Sequence, residues 1–332
     1  VNVADGLGLE EAWTWRETRG LLAASEALRI FHGPGEARGA VAARLAIDRF
    51  GDHYWITEWE QGEEAPTAGS DRTRKIVEAF LRMKGAVSAV ALSRPTQGVP
   101  SVPEVLFGTA PAERFTVSER GARYGIRLLN VRHPGLFLDH APLRDWLRAH
   151  CRDWSVLNCF AYTGSLSVAA ALGGAAHVTT LDLAKPVIRW AEENWALNEL
   201  PAERARFIAG DVFEWLPRLK REGKRFDCVV LDPPSFSHGT KGRFSTTKDL
   251  PKLHELALDV LKPGGTLVTS INSANVSWAR FEADILAAAS ARGVSFEVLA
   301  RIDQPETFPT RLGASTDRYL KGFILRGRSL PT

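Results

Sequence analysis

Five apolar runs of strand length recur between residues 154 and 272: WSVLNCF, HVTTLDL, ARFIAGD, FDCVVLD and GTLVTSIN. Segments with helical spacing lie between or after them, near 164–173, 185–198, 212–221, 249–261 and 278–292. Strands that alternate with helices pair in parallel, because a parallel connection needs a crossover long enough to hold a helix, and the helices then cover both faces. The last two strands, SFEVLARID and YLKGFILRG, have no helix between them and are expected as an antiparallel pair at one edge. Residues 136–332 therefore read as an α/β domain, Rossmann-like, with a seven-stranded, mostly parallel sheet.

The first part of the chain follows a different pattern. Residues 1–24 read as a Trp-containing helix and a linker. RGAVAARLAIDRFGDHYWITEWE reads as two strands joined at RFGDH, RTRKIVEAFLRMKG as an amphipathic helix, and VSAVALSR as a strand. The Pro/Gly-rich RPTQGVPSVPE interrupts this small α+β domain, set at 25–135, and RFTVSERGARYGIRLL reads as a hairpin turning at Glu119 to Ala122.

Composition narrows the class. With 45% hydrophobic and 24% charged residues the chain is that of a globular protein, and no apolar run reaches the ~18 residues of a membrane span. The opening VNVADGLGLEEAWTW lacks the marks of a secretory signal, and Cys151, Cys159 and Cys228 form neither a disulfide framework nor a metal spacing. A cytoplasmic protein without metal or membrane partner is expected. Residues 1–135 carry 17 basic and 17 acidic side chains, so the net +3 arises beyond them. Positive charge concentrates in Arg114–Arg132, His238–Lys252 and Arg311–Arg328, and a meeting of the last two would favour a nucleic-acid partner.

The strand ends carry the chemistry. NCFAYTG lacks the G-x-G-x-x-G fingerprint, with Phe160 and Tyr162 where a phosphate-cradling loop needs glycine, so the ligand is one without pyrophosphate. Gly164 opens the next helix. Asp182, 24 positions after Asn158, ends the second strand where an acid accepts from ribose hydroxyls, and Asp211, Val212 and Phe213 after the third suit an adenine ring. The fourth strand ends in LDPPSFSHG, where Pro233 and Pro234 stop the strand in a stiff extended loop. Taken together, NCFAYTG, LDL, GDV and LDPP read as the S-adenosylmethionine site of a class I methyltransferase.

GLFLDH (135–140), CFAYTGSLSVAAALGGA, LDLAKPVIRWAEENWALN, LDPPSFS and RYLKGF resemble the bacterial 23S rRNA methyltransferases, most of all the guanine-N7 half of a fused guanine methyltransferase. The likeness spans roughly residues 25–330. It also extends to the cytosine-C5 members, although the PUA domain that begins many of those has no counterpart in this sequence. The resemblance implies an S-adenosylmethionine-dependent rRNA enzyme whose cofactor is held by Phe137, Asp139, Phe160, Tyr162, Gly164, Asp182, Asp211 and Val212. Asn158 and Leu183, in the same strand-end motifs, are counted with them.

In the cytosine-C5 members a cysteine after strand five activates the base. Here that segment is TLVTSINSANVS, with Asn272 near the expected position, and no cysteine follows Cys228. A base nitrogen needs no covalent activation, so nitrogen methylation, of guanine in large-subunit rRNA, is the expected reaction. In it Asp232 and the Pro233 carbonyl accept from a purine edge, Pro234 stiffens the rim, and Phe236 stacks on a flipped-out base. SHGTKGRFSTTKD is expected to be a basic loop that closes over RNA. The alternatives are a methyltransferase of a small molecule or protein, and a catalytically idle RNA-binding module.

Overall fold

A computed structural model of the chain describes residues 6–60, 68–95, 101–234, 236–239, 242–245, 249–273, 276–312 and 319–329, with backbone alone at 68–70, 236–239, 242–245 and 329. It forms two compact units, Val1–Asp139 with Pro305–Asp317 and His140–Gln304 with Arg318–Thr332. The division differs from the three segments read along the sequence: residues 1–24 are part of the first unit, and 136–139 and 305–317 are counted with it.

The first unit comprises α1 (Leu9–Thr18), α2 (Leu21–Ala24), β1 (Ala27–His32), α3 (Gly33–Glu36), β2 (Leu45–Phe50), β3 (His53–Trp59), α4 (Ala68–Met83), β4 (Ser88–Arg94), β5 (Glu104–Gly108), β6 (Phe115–Glu119) and β7 (Ala122–Ile126). β1 to β5 form one sheet in that order, antiparallel except for the β3–β4 pair that α4 connects. Sequence reading missed both edge strands. A bulge between Arg29 and Phe31 breaks the alternation of β1, and β5 buries only Phe107. Trp13 of α1 meets Phe80 of α4 edge-on, with ring centroids 6.1 Å apart, over Ile30, Ile47 and Ile56. The β6–β7 hairpin turns where expected, on Arg120 and Gly121, both at positive φ as a two-residue primed turn requires.

The second unit comprises α5 (Ala141–His150), β8 (Ser155–Cys159), α6 (Ser165–Leu172), β9 (His177–Asp182), α7 (Lys185–Leu197), β10 (Ala205–Ala209), α8 (Val212–Arg221), β11 (Phe226–Leu231), β12 (Phe236–Gly239), β13 (Gly242–Ser245), α9 (Leu250–Leu258), β14 (Leu261–Asn272), α10 (Trp278–Ala291), β15 (Val294–Ile302) and β16 (Leu320–Ser329). Seven strands form one sheet in the order β10-β9-β8-β11-β14-β16-β15, parallel from β10 to β14 and antiparallel beyond. The period of two assigns its faces. Leu157, Val229, Leu231 and Leu267 point to one side, under Leu216 of α8, Leu253 of α9 and Phe281 of α10. Val156, Cys228, Val230 and Val268 point to the other, under Leu147 of α5, Ala169 of α6 and Trp195 of α7. At the β15 edge Glu297 pairs with Arg326 and Arg328, which places charge where another strand could add. The basic stretch read as a closing loop contains the antiparallel β12–β13 ribbon.

Some polar groups inside this double-faced core are tied across elements. His254 is fully buried on α9, with Nε2 2.9 Å from Thr269 Oγ1, and burial holds its pKa at about 4. Because the folded value lies below the ordinary 6.5, the unfolded chain takes up a proton that the native state refuses. Stability contributed by neutral His254 is therefore complete above pH 6.5 and falls toward pH 4, by up to about 1.4 kcal/mol per pH unit. Urea titrations across that range should show the slope, and His254→Leu should flatten it whatever its effect at pH 7.

Candidate active site

From β8 the chain adds β9 and β10 on one side and then β11 and β14 on the other, which opens a crevice at the carboxyl ends of these strands. The loop leaving β8, FAYTG, is conformationally costly: Phe160 (φ 57°), Tyr162 (φ 49°) and Gly164 (φ 74°) all adopt left-handed backbone. For the two aromatic residues that costs on the order of 1–3 kcal/mol each, so the surroundings must hold them. The Ala161 amide donates to the Leu181 carbonyl at 3.1 Å. Buried Asn194 of α7 donates through Nδ2 to the Thr163 carbonyl at 2.9 Å. The Tyr162 amide donates to Asp182 Oδ2 at 2.9 Å. Gly164 has a second reason to be glycine, since a Cβ there would stand 2.8 Å from Ala191 Cβ on α7.

Asp182 is the junction of the neighbouring strand ends. Its Oδ2 accepts from Tyr162, its Oδ1 from the Ala184 amide at 3.1 Å, and its carbonyl from the Gly210 amide at 2.9 Å, past the end of β10. Burial raises its pKa, while the amides of Ala184, Tyr162 and Leu183 work to lower it. Leu183 beside it is an exposed apolar side chain, 43% accessible. Asp211 caps α8, its Oδ1 accepting from the Phe213 amide at 2.8 Å. Val212 sends its side chain into the core, and as the first residue of α8 its N–H has no acceptor within the helix.

The fourth strand end is built around Asp232. Ser270 Oγ donates to Asp232 Oδ1 at 2.6 Å, and His140 Nε2 lies 3.2 Å from the same oxygen. Oδ2 has no protein partner among the described residues, and the side chain remains 22% exposed. Pro233 is buried and Pro234 exposed. The side chain of Phe236 lies outside the described residues, although its backbone opens β12.

The remaining expected residues have the following surroundings. Asn158 is interior: its Nδ2 donates to Ser167 Oγ at 2.9 Å, which also accepts from Thr180 Oγ1 at 2.8 Å, so it ties β8 to α6 and β9. Phe137 and Asp139 belong to the first unit, where Phe137 packs on His133 with centroids 5.2 Å apart and the charge of buried Asp139 acts on His32 and His133. Asn272, at the end of β14, is exposed. All three cysteines are fully buried, the Cys159 thiol is pushed upward by burial, and that of Cys228 is pushed up by its hydrogen bond with Cys151 and by burial. Sequence reading missed Ser270, His140 and Asn194. Ser270 is placed by strand register: Leu231 pairs with Thr269, so the next residues, Asp232 and Ser270, are neighbours.

A family model described as S-adenosylmethionine-dependent methyltransferase matches residues 91–324. The chain belongs to that family. This methyltransferase is 32% identical over 288 residues to the ribosomal RNA large subunit methyltransferase I of Vibrio vulnificus, covering 85% of this chain and 71% of that one. It is 35% identical over 231 residues to the ribosomal RNA large subunit methyltransferase K/L of Chromohalobacter salexigens, covering 69% of this chain and 31% of that longer one. Among solved structures, that of SMU.776 complexed with SAH is similar at a TM-score of 0.84 and 26% identity, covering 98% of this chain and 82% of that one. The fold class and the S-adenosylmethionine dependence expected from the sequence are thereby established.

The glycine argument can be tested by itself. Gly164→Ala should destabilise the protein by about 1–2 kcal/mol from the left-handed backbone, and by more from the contact with Ala191. Adding Ala191→Gly should recover the steric part and leave the backbone part, and a thermal-unfolding double-mutant cycle separates the two.

Proposed function

We propose that this methyltransferase acts on RNA, moving a methyl group to a nitrogen of a base, a guanine of large-subunit rRNA, in the bacterial cytoplasm. The curated relatives named for that substrate support the RNA, and the burial of every cysteine carries the choice of nitrogen. All three thiols are fully buried, and burial raises the pKa of Cys159 and helps raise that of Cys228, so activation of a pyrimidine carbon by covalent attack has no accessible thiol to perform it.

The strand ends fit the cofactor. S-adenosylmethionine supplies, when bound, a methyl group on an electrophilic sulfonium. The Asp182 carboxylate, which accepts from the Tyr162 amide on Oδ2 and the Ala184 amide on Oδ1, keeps capacity for a ribose hydroxyl. The Val212 N–H and the Asp211 carboxylate suit the acceptor and donor edge of adenine, and the left-handed Phe160 and Tyr162 shape the loop against which the ligand lies. On the substrate side, Ser270 holds one oxygen of the partly exposed Asp232, and the other keeps capacity to accept from the N–H edge of a guanine. The ring of Phe236 supplies the stacking face, for about 1–3 kcal/mol. Because a free lone pair on the base nitrogen needs no strong base, rate comes from alignment of that nitrogen with the methyl group.

Three outcomes test this reading. Asp182→Ala should weaken S-adenosylmethionine binding tenfold or more in calorimetry, because a charge-assisted hydrogen bond contributes about 1.5–3 kcal/mol. Phe236→Ala should slow single turnover roughly fivefold to a hundredfold with unchanged melting temperature and cofactor affinity. If instead its melt falls and both functions decline together, Phe236 is a core residue. Finally, mapping rRNA methylation at nucleotide resolution with and without the gene should reveal a missing nitrogen-methylated guanine, whereas a 5-fluorocytosine RNA trapped covalently on the protein would refute the nitrogen assignment.

A further inference from the structure

Of the basic stretches, the last is largely used internally. Arg326 and Arg328 pair with Glu297, and Arg311 donates to the Ala37 carbonyl. Arg94 and Arg132 differ. Arg94 ends β4, and its Nη2 donates to the Arg132 carbonyl at 2.7 Å and approaches His133 Nδ1 at 3.3 Å. That engages one nitrogen and leaves Nε and Nη1 without a protein acceptor among the described residues, each with an N–H to offer an oxyanion. Arg132 is exposed, and no described carboxylate pairs with either guanidinium.

The charges also stand in the wrong company for a purely structural role. Partial burial and then the repulsion of Arg132 lower the Arg94 pKa, and no acidic residue offsets them. His133 is held neutral, its pKa near 4, by burial and by Arg94, with Asp139 opposing and Arg132 adding to the fall. A neutral imidazole can accept from Arg94, so it steadies the guanidinium without adding a third positive charge. Two like charges that repel, on residues joined through the Arg132 carbonyl and without a described acid beside them, are stabilised by an anion that both can reach.

We infer that Arg94 and Arg132 form a phosphate-binding site on the first unit that takes the backbone of the RNA substrate. The inference rests on the RNA reading given above and adds the residues by which the first unit grips it. Phosphate contacts of this kind position a nucleic acid without reading its sequence. The carboxylate of the cofactor is the other oxyanion at hand, since His133 packs on Phe137, a residue that the family resemblance gives to the cofactor. S-adenosylmethionine, however, carries an ammonium and a sulfonium beside its one carboxylate and is net positive, which makes it a poor partner for two arginines.

The test compares wild type, Arg132→Ala, Arg94→Ala and the double variant, with Arg94→Lys as a charge-retaining control. Binding of a fluorescein-labelled single-stranded RNA of about 20 nucleotides is measured from 50 to 300 mM salt, and S-adenosylmethionine binding by calorimetry. The double variant should bind RNA at least tenfold more weakly at 150 mM salt, with the slope of log affinity against log salt shallower by about 1 to 2, while cofactor affinity stays within twofold. Arg132→Ala alone, at an exposed position, should show about half of that change, so the test stands even if Arg94→Ala does not fold. An unchanged salt slope overturns the site and leaves the RNA substrate standing. An unchanged slope with cofactor affinity down tenfold reassigns the arginines to the cofactor carboxylate. A wild-type protein that binds no RNA at any salt overturns the site and the RNA reading together.

Discussion

The central strands of the second unit are covered by helices on both faces, and this constraint organises the rest of the molecule. A strand buried on two sides has little room for charge along its length, so β8 and β11 are largely apolar, and the one acid within them, Asp227 near the amino end of β11, is paired with Lys262. Asp182, Asp211 and Asp232 each stand at or just past a carboxyl terminus, and the reversal of strand order opens a crevice there. The few polar side chains that remain inside are tied to one another, as Asn158, Ser167 and Thr180 are, or His254 and Thr269. Fold and site are thus consequences of one burial pattern.

A site at the end of a rigid sheet still needs its loops held in place. The FAYTG loop keeps two aromatic residues in a backbone conformation they disfavour, against anchors from three directions: the Leu181 carbonyl, the Asp182 carboxylate and the amide of Asn194. Those anchors are ordinary hydrogen bonds, but together they make the costly conformation the lowest one available. Asp232 is treated similarly. Ser270 holds one of its oxygens and leaves the other capable of accepting. Positioning of this kind is what a reaction without a strong base depends on.

The arrangement of the second unit was legible in the sequence because its signals are local. Periods of two and 3.6, a glycine after a strand, a pair of prolines and an acid at a strand end each act over a few residues, and each is found where expected. The hairpin at Arg120–Gly121 was legible for the same reason. Less legible were β1 and β5, since a bulge or a single buried residue hides a strand from a periodicity argument. Folding also adds structural roles: Asn158 braces the interior, and Gly164 is required by its φ and by Ala191 on a neighbouring helix.

What the sequence by itself determined is therefore the class of fold, the family and the acids at the strand ends, because burial periodicity and turn chemistry are properties of short segments. What only the tertiary structure decided is which side chains those acids meet. Ser270 reaches Asp232 across 38 positions, Asn194 reaches Thr163 across 31, and Arg94 reaches the Arg132 carbonyl across 38. Such partners are chosen by strand register and helix packing, and nothing in either local segment encodes the other.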